Sequence, residues 1–245
     1  MRQLLIDGDI LIYKVATKFE EETNWGDGLW TLHSDERKCK AGIRKELTNL
    51  MLLLEAQDYV IALTDKDNFR KTVMPSYKSN RKDKRKPMLF NLLKEYVIEE
   101  HYGVSFENLE ADDVLGILAT DTTSVEVERV IVSIDKDLKQ IPGLIYDGKE
   151  VLEITPAQGD YWFLIQTLAG DSVDGYSGCP GIGVKTAQKL LDPKVPFIDN
   201  WNKVVETYIK NGYMEPEVLQ QARVARILRH GEYDMVTGEP KLWKI

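Results

Sequence analysis

Apolar and polar residues follow two alternating patterns along this chain of 245 residues. Short apolar runs, typical of buried strands, lie at residues 3–6, 59–63, 129–133, 144–146 and 151–154. Apolar residues spaced three or four positions apart predict helices at residues 10–17, 35–56, about 88–101, 110–120 and 156–169. The chain beyond them is mostly helical to residue 229. Because strands alternate with helices, the pattern predicts an α/β fold with a mainly parallel sheet, followed by a C-terminal helical region.

Two of the predicted helices are preceded by residues that favour a helix start. Ser34 stands directly before the helix at 35–56 and is predicted to be its N-cap. Thr155 and Pro156 begin the helix that runs to about residue 169. Neither an internal repeat nor a low-complexity linker is evident, so the pattern indicates one compact unit.

Nine carboxylates stand where predicted strands end or predicted helices begin: Asp7, Asp65, Glu110, Asp112, Asp113, Asp135, Asp137, Asp171 and Asp174. The carboxyl ends of parallel strands meet at one edge of an open α/β sheet, so these acids are predicted to converge there. Carboxylates so close together repel one another unless divalent cations bind between them. Each acid alone also suits the capping of a helix. Paired acids at three successive places favour a two-metal site and phosphodiester hydrolysis.

A basic segment interrupts an otherwise acidic chain. The net charge is −8, yet residues 66–86 hold nine Lys and Arg against two Asp, a local net charge of +7. Such a segment beside metal-neutralised acids suits a polyanionic substrate such as nucleic acid. On composition alone, a solvated charge run on a flexible loop explains it equally well.

A glycine-rich stretch forms the second strong signal. Four glycines lie within nine residues and are followed by a predicted helix; they are Gly175, Gly178, Gly181 and Gly183. Glycines let backbone N–H groups approach a phosphate, and a helix N-terminus favours an anion. Lys185 adds a positive charge there. The alternative is an ordinary turn, and the spacing matches neither the P-loop nor the dinucleotide-binding fingerprint.

Composition excludes several other classes of protein. Cys39 and Cys179 lack the spacing of metal ligands, and three histidines are too few for a zinc site. A reduced compartment is expected. No apolar run approaches the length of a membrane span, and Asp7 and Asp9 interrupt the start too early for a signal peptide. A cytoplasmic protein without a membrane partner is therefore expected.

Several motifs resemble those of the flap endonuclease-like 5′→3′ exonucleases. In chain order they are Ile6-Asp7-Gly8, Thr64-Asp65-Lys66, Tyr77-Lys78-Ser79-Asn80-Arg81, Leu109-Glu110-Ala111-Asp112-Asp113, Ser133-Ile134-Asp135-Lys136-Asp137, Gly170-Asp171-Ser172-Val173-Asp174 and Gly181-Ile182-Gly183-Val184-Lys185-Thr186-Ala187. The bacteriophage members and the nuclease domain of bacterial DNA polymerase I look most similar. The resemblance covers about residues 3–191.

The resemblance implies a PIN-like sheet in residues 1–154 and a helix–three-turn–helix DNA-binding element in residues 155–245. It implies that one metal is held by Asp7, which also counts as catalytic, together with Asp65, Glu110, Asp112 and Asp113. A second metal falls to Asp135, Asp137, Asp171 and Asp174. The metals expected are Mg²⁺ or Mn²⁺. The family often has Asn where Ile10 stands and Asp-Asn where Asp174-Gly175 stands.

The resemblance also implies how substrate is held. Lys78 and Arg81 match a catalytic basic pair that contacts the scissile phosphate, and Tyr13 falls where an aromatic residue often stacks on a base. A core aromatic is the alternative for Tyr13. The glycine loop is expected to grip duplex phosphates and to hold K⁺. The remaining residues expected to contact DNA are Lys82, Lys84, Arg85, Gly178, Gly181, Gly183, Lys185 and Thr186.

The basic segment, taken as residues 66–87, corresponds to a helical arch through which larger phage relatives thread a 5′ strand. Only 44 residues separate Asp65 from Glu110, so the arch is expected to be short. The function implied is a metal-dependent, monomeric 5′→3′ exonuclease or flap endonuclease that leaves 5′-phosphates on DNA. Two alternatives stay open: removal of RNA primers from RNA–DNA hybrids, and a non-catalytic, structure-specific DNA-binding protein.

Overall fold

The computed structural model describes residues 1–81, 85–123 and 126–245. Its strands are β1 (Arg2–Asp7), β2 (Glu20–Asn24), β3 (Trp30–Ser34), β4 (Asp58–Ala62), β5 (Gly103–Val104), β6 (Glu128–Val132), β7 (Gly143–Tyr146), β8 (Val151–Ile154), β9 (Tyr233–Asp234) and β10 (Glu239–Pro240). Its helices are α1 (Gly8–Lys18), α2 (Glu36–Leu53), α3 (Arg70–Val73), α4 (Phe90–Glu100), α5 (Ala111–Ala119), α6 (Pro156–Ala169), α7 (Val184–Leu190), α8 (Phe197–Lys210) and α9 (Glu215–Ala225). Two 3₁₀ helices, Ser79–Arg81 and Lys136–Gln140, lie between them.

The central sheet has six strands in the order β5-β4-β1-β6-β7-β8. Every neighbouring pair is parallel except β7 and β8, which confirms the predicted mainly parallel α/β fold. Strand β1 lies in the middle, with Ile6 paired to Ile61 on one side and to Val132 on the other. The carboxyl ends of β1, β4 and β6 therefore meet at one edge of the sheet.

Side chains of β1 alternate between two hydrophobic cores, as the pleat of a strand requires. Leu4 and Ile6 pack with helices α1, α2 and α4 on one face. Leu5 packs on the other face against α5 and, at the end of the chain, Ile227 and Leu228. The C-terminal helices α6 to α9 enclose a third core. Among the described residues, no helix is both long and apolar enough to cross a membrane.

The structure corrects several of the predicted boundaries. Helix α1 begins at Gly8 because Asp7 caps it, its carboxylate accepting from the N–H of Ile10. Asp35, and not Ser34, is the N-cap of α2, since its carboxylate accepts from the backbone of Arg37 and Lys38. Ser34 instead ends β3. The periodicity did not predict the β2–β3 hairpin, whose strands are mostly polar and exposed.

Candidate active site

A cavity of about 790 Å³ opens at the carboxyl edge of the sheet. Among the described residues, eight carboxylates line it: Asp7, Asp9, Glu110, Asp112, Asp135, Asp137, Asp171 and Asp174. Five cationic side chains from the same described residues share the lining: Lys14, Lys78, Arg81, Lys86 and Lys136. Seven of the nine predicted metal ligands thus face one cavity, while Asp65 and Asp113 do not line it.

Asp7 stands at the centre of the sheet edge, where β1 passes into α1. One carboxylate oxygen caps α1, and the other accepts from the hydroxyl of Ser133 at 2.9 Å. Burial, together with the charges of Asp9 and Asp135, raises the pKa of Asp7 to about 6. The group therefore carries negative charge at a place where water does little to stabilise it.

The N-terminus of α5 brings two more acids to the cavity. Glu110 is the N-cap, and the carboxylate of Asp113 accepts from its backbone N–H at 3.2 Å. Asp112, in the first turn, faces the cavity. Burial raises the pKa of Asp112 well above its ordinary value, and the charges of Asp7, Asp135 and Glu110 add to the effect. Asp112 and these three neighbours therefore form one group of mutually repelling carboxylates.

The 3₁₀ helix Lys136–Gln140 supplies Asp135 and Asp137 after the end of β6. Asp135 caps this helix, accepting from the N–H of Asp137 at 2.8 Å, so the capping role and the place in the cavity coexist. Burial and the neighbouring acids Asp135, Asp171 and Asp174 raise the pKa of Asp137 to about 7. Asp135 repels acids on both sides and so lies between two groups of carboxylates.

The loop after α6 carries the last two acids. Asp171 accepts from the N–H of Val173 at 2.7 Å, which closes a tight turn toward Asp174. The buried hydroxyl of Tyr77 lies 2.7 Å from Glu110 and 3.0 Å from Asp174, so it joins carboxylates of the two groups. Tyr77 lies in one of the sequence motifs, but no role was predicted for it.

Lys78 and Arg81 act as internal counter-ions in this cavity. The Lys78 ammonium bonds to Glu110 and lies 3.5 Å from Asp174, while the Arg81 guanidinium bonds to Asp174. The backbone of Lys78 has φ +54°, an uncommon conformation for a residue with a side chain, and its N–H bonds to the carbonyl of Asp174 at 2.7 Å. Although burial favours the neutral acid, Lys78 and Arg70 lower the pKa of Glu110.

Asp65 and Asp113 lie at the sheet edge but bond away from the cavity. Asp65 accepts from the N–H of Asn108 at 3.0 Å and orders the loop before α5. Asp113 is fully buried and pairs with both terminal nitrogens of Arg70 at 2.6 and 2.8 Å. Glu110 and Asp113 lie three residues apart, and here that spacing marks a capping box rather than two metal ligands on one helix face. Arg70 is likewise buried and contributes nothing to the basic surface.

The donor set suits hard divalent cations. Every acidic ligand candidate offers oxygen, which Mg²⁺ and Mn²⁺ prefer, and the raised pKa values of Asp7, Asp112 and Asp137 mark an excess of buried negative charge. Within the described part of the chain, no three His, Cys, Asp or Glu side chains already converge as a metal-binding group. The ammonium of Lys78 lies between Glu110 and Asp174 instead, so binding of ions requires these side chains to rearrange.

The residues expected to contact DNA lie around this cavity and beyond it. Tyr13 lines the cavity and is half exposed, so it is not a core residue. Gly181 and Gly183 face open space, and Lys185 and Thr186 are exposed at the start of α7. Gly178 has a different reason for being glycine: a Cβ there would lie 2.3 Å from the backbone nitrogen of Gly170.

The basic segment is only partly described. Lys82 and Lys84 lie outside the described residues, and Arg85 bonds to Glu20 on the β2–β3 hairpin at 2.7 and 2.8 Å. The sequence did not single out Asp9, Lys14 or Lys136 as site residues, although all three line the cavity, as does Lys86 of the basic segment. The position of Asp9, two residues after Asp7 in the first turn of α1, was the available signal.

Known proteins resemble this chain over most of its length. Residues 2–158 match the model of the 5′-3′ exonuclease N-terminal resolvase-like domain. The exodeoxyribonuclease of phage T3 is 31% identical over 98% of the chain and 92% of its own length, and the exonuclease of phage T7 is 30% identical over 98% and 93%. A phage T5 flap endonuclease, solved with DNA and metal ions, shares the fold: TM-score 0.59, 16% identity, and 92% and 93% coverage. The chain therefore belongs to the 5′-3′ exonuclease family.

Proposed function

We propose that this protein hydrolyses DNA phosphodiesters from 5′ ends, as a 5′→3′ exonuclease and structure-specific flap endonuclease that leaves 5′-phosphate products. The observation that supports it most directly is the cavity in which eight carboxylates face Lys78 and Arg81. The names of the relatives agree: phage T3 and T7 exonucleases, and a flap endonuclease of Shewanella baltica that is 28% identical over 77% of the chain.

Two divalent ions, Mg²⁺ or Mn²⁺, fit the two groups of repelling carboxylates. Asp7, Glu110 and Asp112 would hold one ion, and the second would fall to Asp137, Asp171 and Asp174. Asp135 repels members of both groups and would serve either. Asp65 and Asp113 are left out, because neither lines the cavity: Asp65 bonds to the backbone of Asn108 and Asp113 to Arg70. Bound ions would lower the pKa of an attacking water and neutralise charge on the phosphate.

Lys78 and Arg81 would change partners when substrate binds. In the protein alone they neutralise Glu110 and Asp174. Once cations take over that task, both side chains are free to meet a phosphate at the cavity, where their charge stabilises the transition state. Tyr77 keeps Glu110 and Asp174 aligned through its hydroxyl. Tyr13, half exposed at the cavity, would stack on the base beside the scissile bond.

The loop between α6 and α7 would hold the duplex. It combines backbone at Gly181 and Gly183 that no neighbour covers with the exposed side chains of Lys185 and Thr186. These features suit contacts to phosphates spaced along one strand, and K⁺ bound by the loop carbonyls would strengthen them. In this assignment α6, the loop and α7 form the helix–three-turn–helix element.

Labelled substrates test this function. Duplex, 5′-flap, gapped and RNA–DNA hybrid substrates are each incubated with Mg²⁺, Mn²⁺ or EDTA, and the products are tested for a 5′-phosphate. Release of 5′-phosphorylated products from DNA 5′ ends or flaps, dependent on a divalent ion, is expected. Asp135→Asn, which removes a carboxylate of the cavity, should lose this activity, whereas the matched control Asp27→Asn in the exposed β2–β3 turn should keep it. Tight DNA binding without cleavage under any metal condition would instead indicate a DNA-binding protein.

A further inference from the structure

Five consecutive residues at the end of α9 form a buried strap behind the cavity. The strap is residues 224–228, all of them buried, and the chain leaves the helix at Arg226, where φ is −66° and ψ is 123°. A buried segment that leaves a helix must satisfy its backbone groups by other means. In this strap they are satisfied by Arg70 on α3 and by two side chains, Asp113 and Gln140, from segments that carry cavity acids.

Arg70 and Asp113 bond to the backbone of alternate strap residues, Val224, Arg226 and Leu228. Arg70 donates to the carbonyls of Val224 at 2.9 Å and Arg226 at 2.6 Å. Asp113 pairs with Arg70 and accepts from the N–H of Leu228 at 3.0 Å. Since Asp113 lies one residue after Asp112, the strap is bonded directly to the α5 N-terminus.

Gln140 bonds to the backbone of the two strap residues between them, Ala225 and Ile227. Its amide nitrogen donates to the carbonyl of Ala225 at 2.7 Å, and its amide oxygen accepts from the N–H of Ile227 at 3.2 Å. Gln140 is almost completely buried and ends the 3₁₀ helix that begins directly after Asp135 and contains Asp137. The strap therefore joins one segment from each group of carboxylates: the α5 N-terminus, with Glu110 and Asp112, and the 3₁₀ helix that contains Asp137.

A small cavity of about 20 Å³ shows how near the strap comes to the acids. Its lining includes Arg70 and Gln140 together with Asp112, Asp137 and Ala225. Removing a group that orients a metal-binding side chain typically lowers metal affinity by about 10–100-fold. Gln140 has such an orienting place: it ends the 3₁₀ helix that contains Asp137, and it bonds that helix to the strap.

We propose that Gln140 is a positioning residue of the metal pocket: through the strap it fixes the segment of Asp135 and Asp137 relative to the α5 N-terminus, which Arg70 and Asp113 fix from the other side. The proposal rests on the metal-dependent function proposed above. It assigns to the C-terminal helical region a part in assembling the catalytic cavity, because α9 packs within that region and leads directly into the strap.

Metal binding without DNA tests the proposal. Gln140→Met removes the amide contacts to Gln166, Ala225 and Ile227 at similar volume, and Mn²⁺ affinity is measured by calorimetry on the folded protein. The matched control is Gln220→Met: Gln220 lies on α9, and its amide also donates to a carbonyl, Val73, at 2.7 Å. We expect Mn²⁺ affinity to fall at least about tenfold in Gln140→Met, in the range typical of groups that orient metal ligands, and to change less than about twofold in the control.

Duplex affinity and stability separate positioning from general damage. Anisotropy with labelled duplex in EDTA should be alike in both variants, and urea unfolding gives the loss of stability in each. Equal Mn²⁺ affinity in Gln140→Met and Gln220→Met would overturn the proposal. If the wild type itself binds no divalent ion, the proposed function fails instead.

Hydrogen exchange of the wild type keeps the proposal testable if Gln140→Met does not fold. Because coupling between two sites is reciprocal, Mg²⁺ should slow exchange of the Ile227 and Leu228 amides at least about fivefold, and more than exchange of the α8 amides. Gln140→Asn, which keeps the amide on a shorter side chain, should reduce this difference. Slowing that is equal in the strap and α8 would show that the strap is not coupled to the metal pocket.

Discussion

Two neighbouring aspartates, Asp112 and Asp113, should respond in opposite ways to the same substitution. Asp112 faces the cavity and is repelled by Asp7 and Asp135, whereas Asp113 is paired with the buried Arg70. Replacing either with Asn preserves the volume and removes one negative charge. In EDTA, we therefore expect Asp112→Asn to stabilise the protein and Asp113→Asn to destabilise it. A resemblance between motifs treats the two residues alike.

The magnitudes follow from burial and pairing. Arg70 is 2% exposed, so Asp113→Asn leaves a buried guanidinium with only the carboxylate of Glu110, 3.4 Å away, as its charge partner. Breaking a buried ion pair on one side costs about 3–5 kcal/mol. For a protein of this size, that loss lowers the melting temperature by roughly 6–20 °C, at about 2–4 °C per kcal/mol. At Asp112 the sign reverses, because burial and three neighbouring acids raise the pKa of a carboxylate whose charge the folded state must bear.

Thermal and urea unfolding in EDTA at neutral pH measure both effects, and Asp27→Asn in the exposed β2–β3 turn serves as the control. Mg²⁺ should then raise the wild-type melting temperature and do so much less for Asp112→Asn. A melting temperature for Asp113→Asn equal to that of the wild type would refute the structural role of the pair. A loss in Asp112→Asn as large as that in Asp113→Asn would refute the repulsion argument.

Three further predictions concern charge and substrate. In EDTA, the melting temperature should fall as pH rises from 5 to 8. The folded protein still holds protons on Asp7, with a pKa of about 6, and on Asp137, with a pKa of about 7, whereas the unfolded chain has already released them. Mg²⁺ should abolish this fall, and a melting temperature that does not change with pH in EDTA would contradict the prediction. Single substitutions of Lys78 and Arg81 by Ala should lower kcat far more than duplex affinity, and an equal loss of both would reduce them to ordinary phosphate contacts. Lys185→Ala should weaken duplex binding and reduce the slope of log affinity against log salt by about one contact, with turnover restored at saturating DNA; an unchanged slope in anisotropy titrations would make the α6–α7 loop a structural turn.

Sequence predicted the part of this site that depends on strand ends. Asp7 and Asp135 follow buried strands, and the topology of a parallel sheet brings such positions to one edge whatever the details of packing. Asp112 reaches the same cavity from the first turn of α5. Five of the six strands of the central sheet were predicted for the same reason, since a continuous apolar run is a local signal. The two-residue strand β5 was not predicted. The β2–β3 hairpin lacks this signal, because its strands bury almost nothing.

What sequence could not separate is which acids face the cavity and which face the protein. Asp113 differs from Asp112 by one position on α5, and on a helix one residue turns a side chain by about 100°. The partner that makes Asp113 structural, Arg70, lies 43 residues away in a segment whose composition indicates a basic surface. The strap contacts that complete the pair come from more than 110 residues further along the chain. Only the folded chain brings these groups together. Arg70, from a run of charged residues, and Asp113, from a metal-binding motif, then neutralise each other in the interior and support the cavity without lining it.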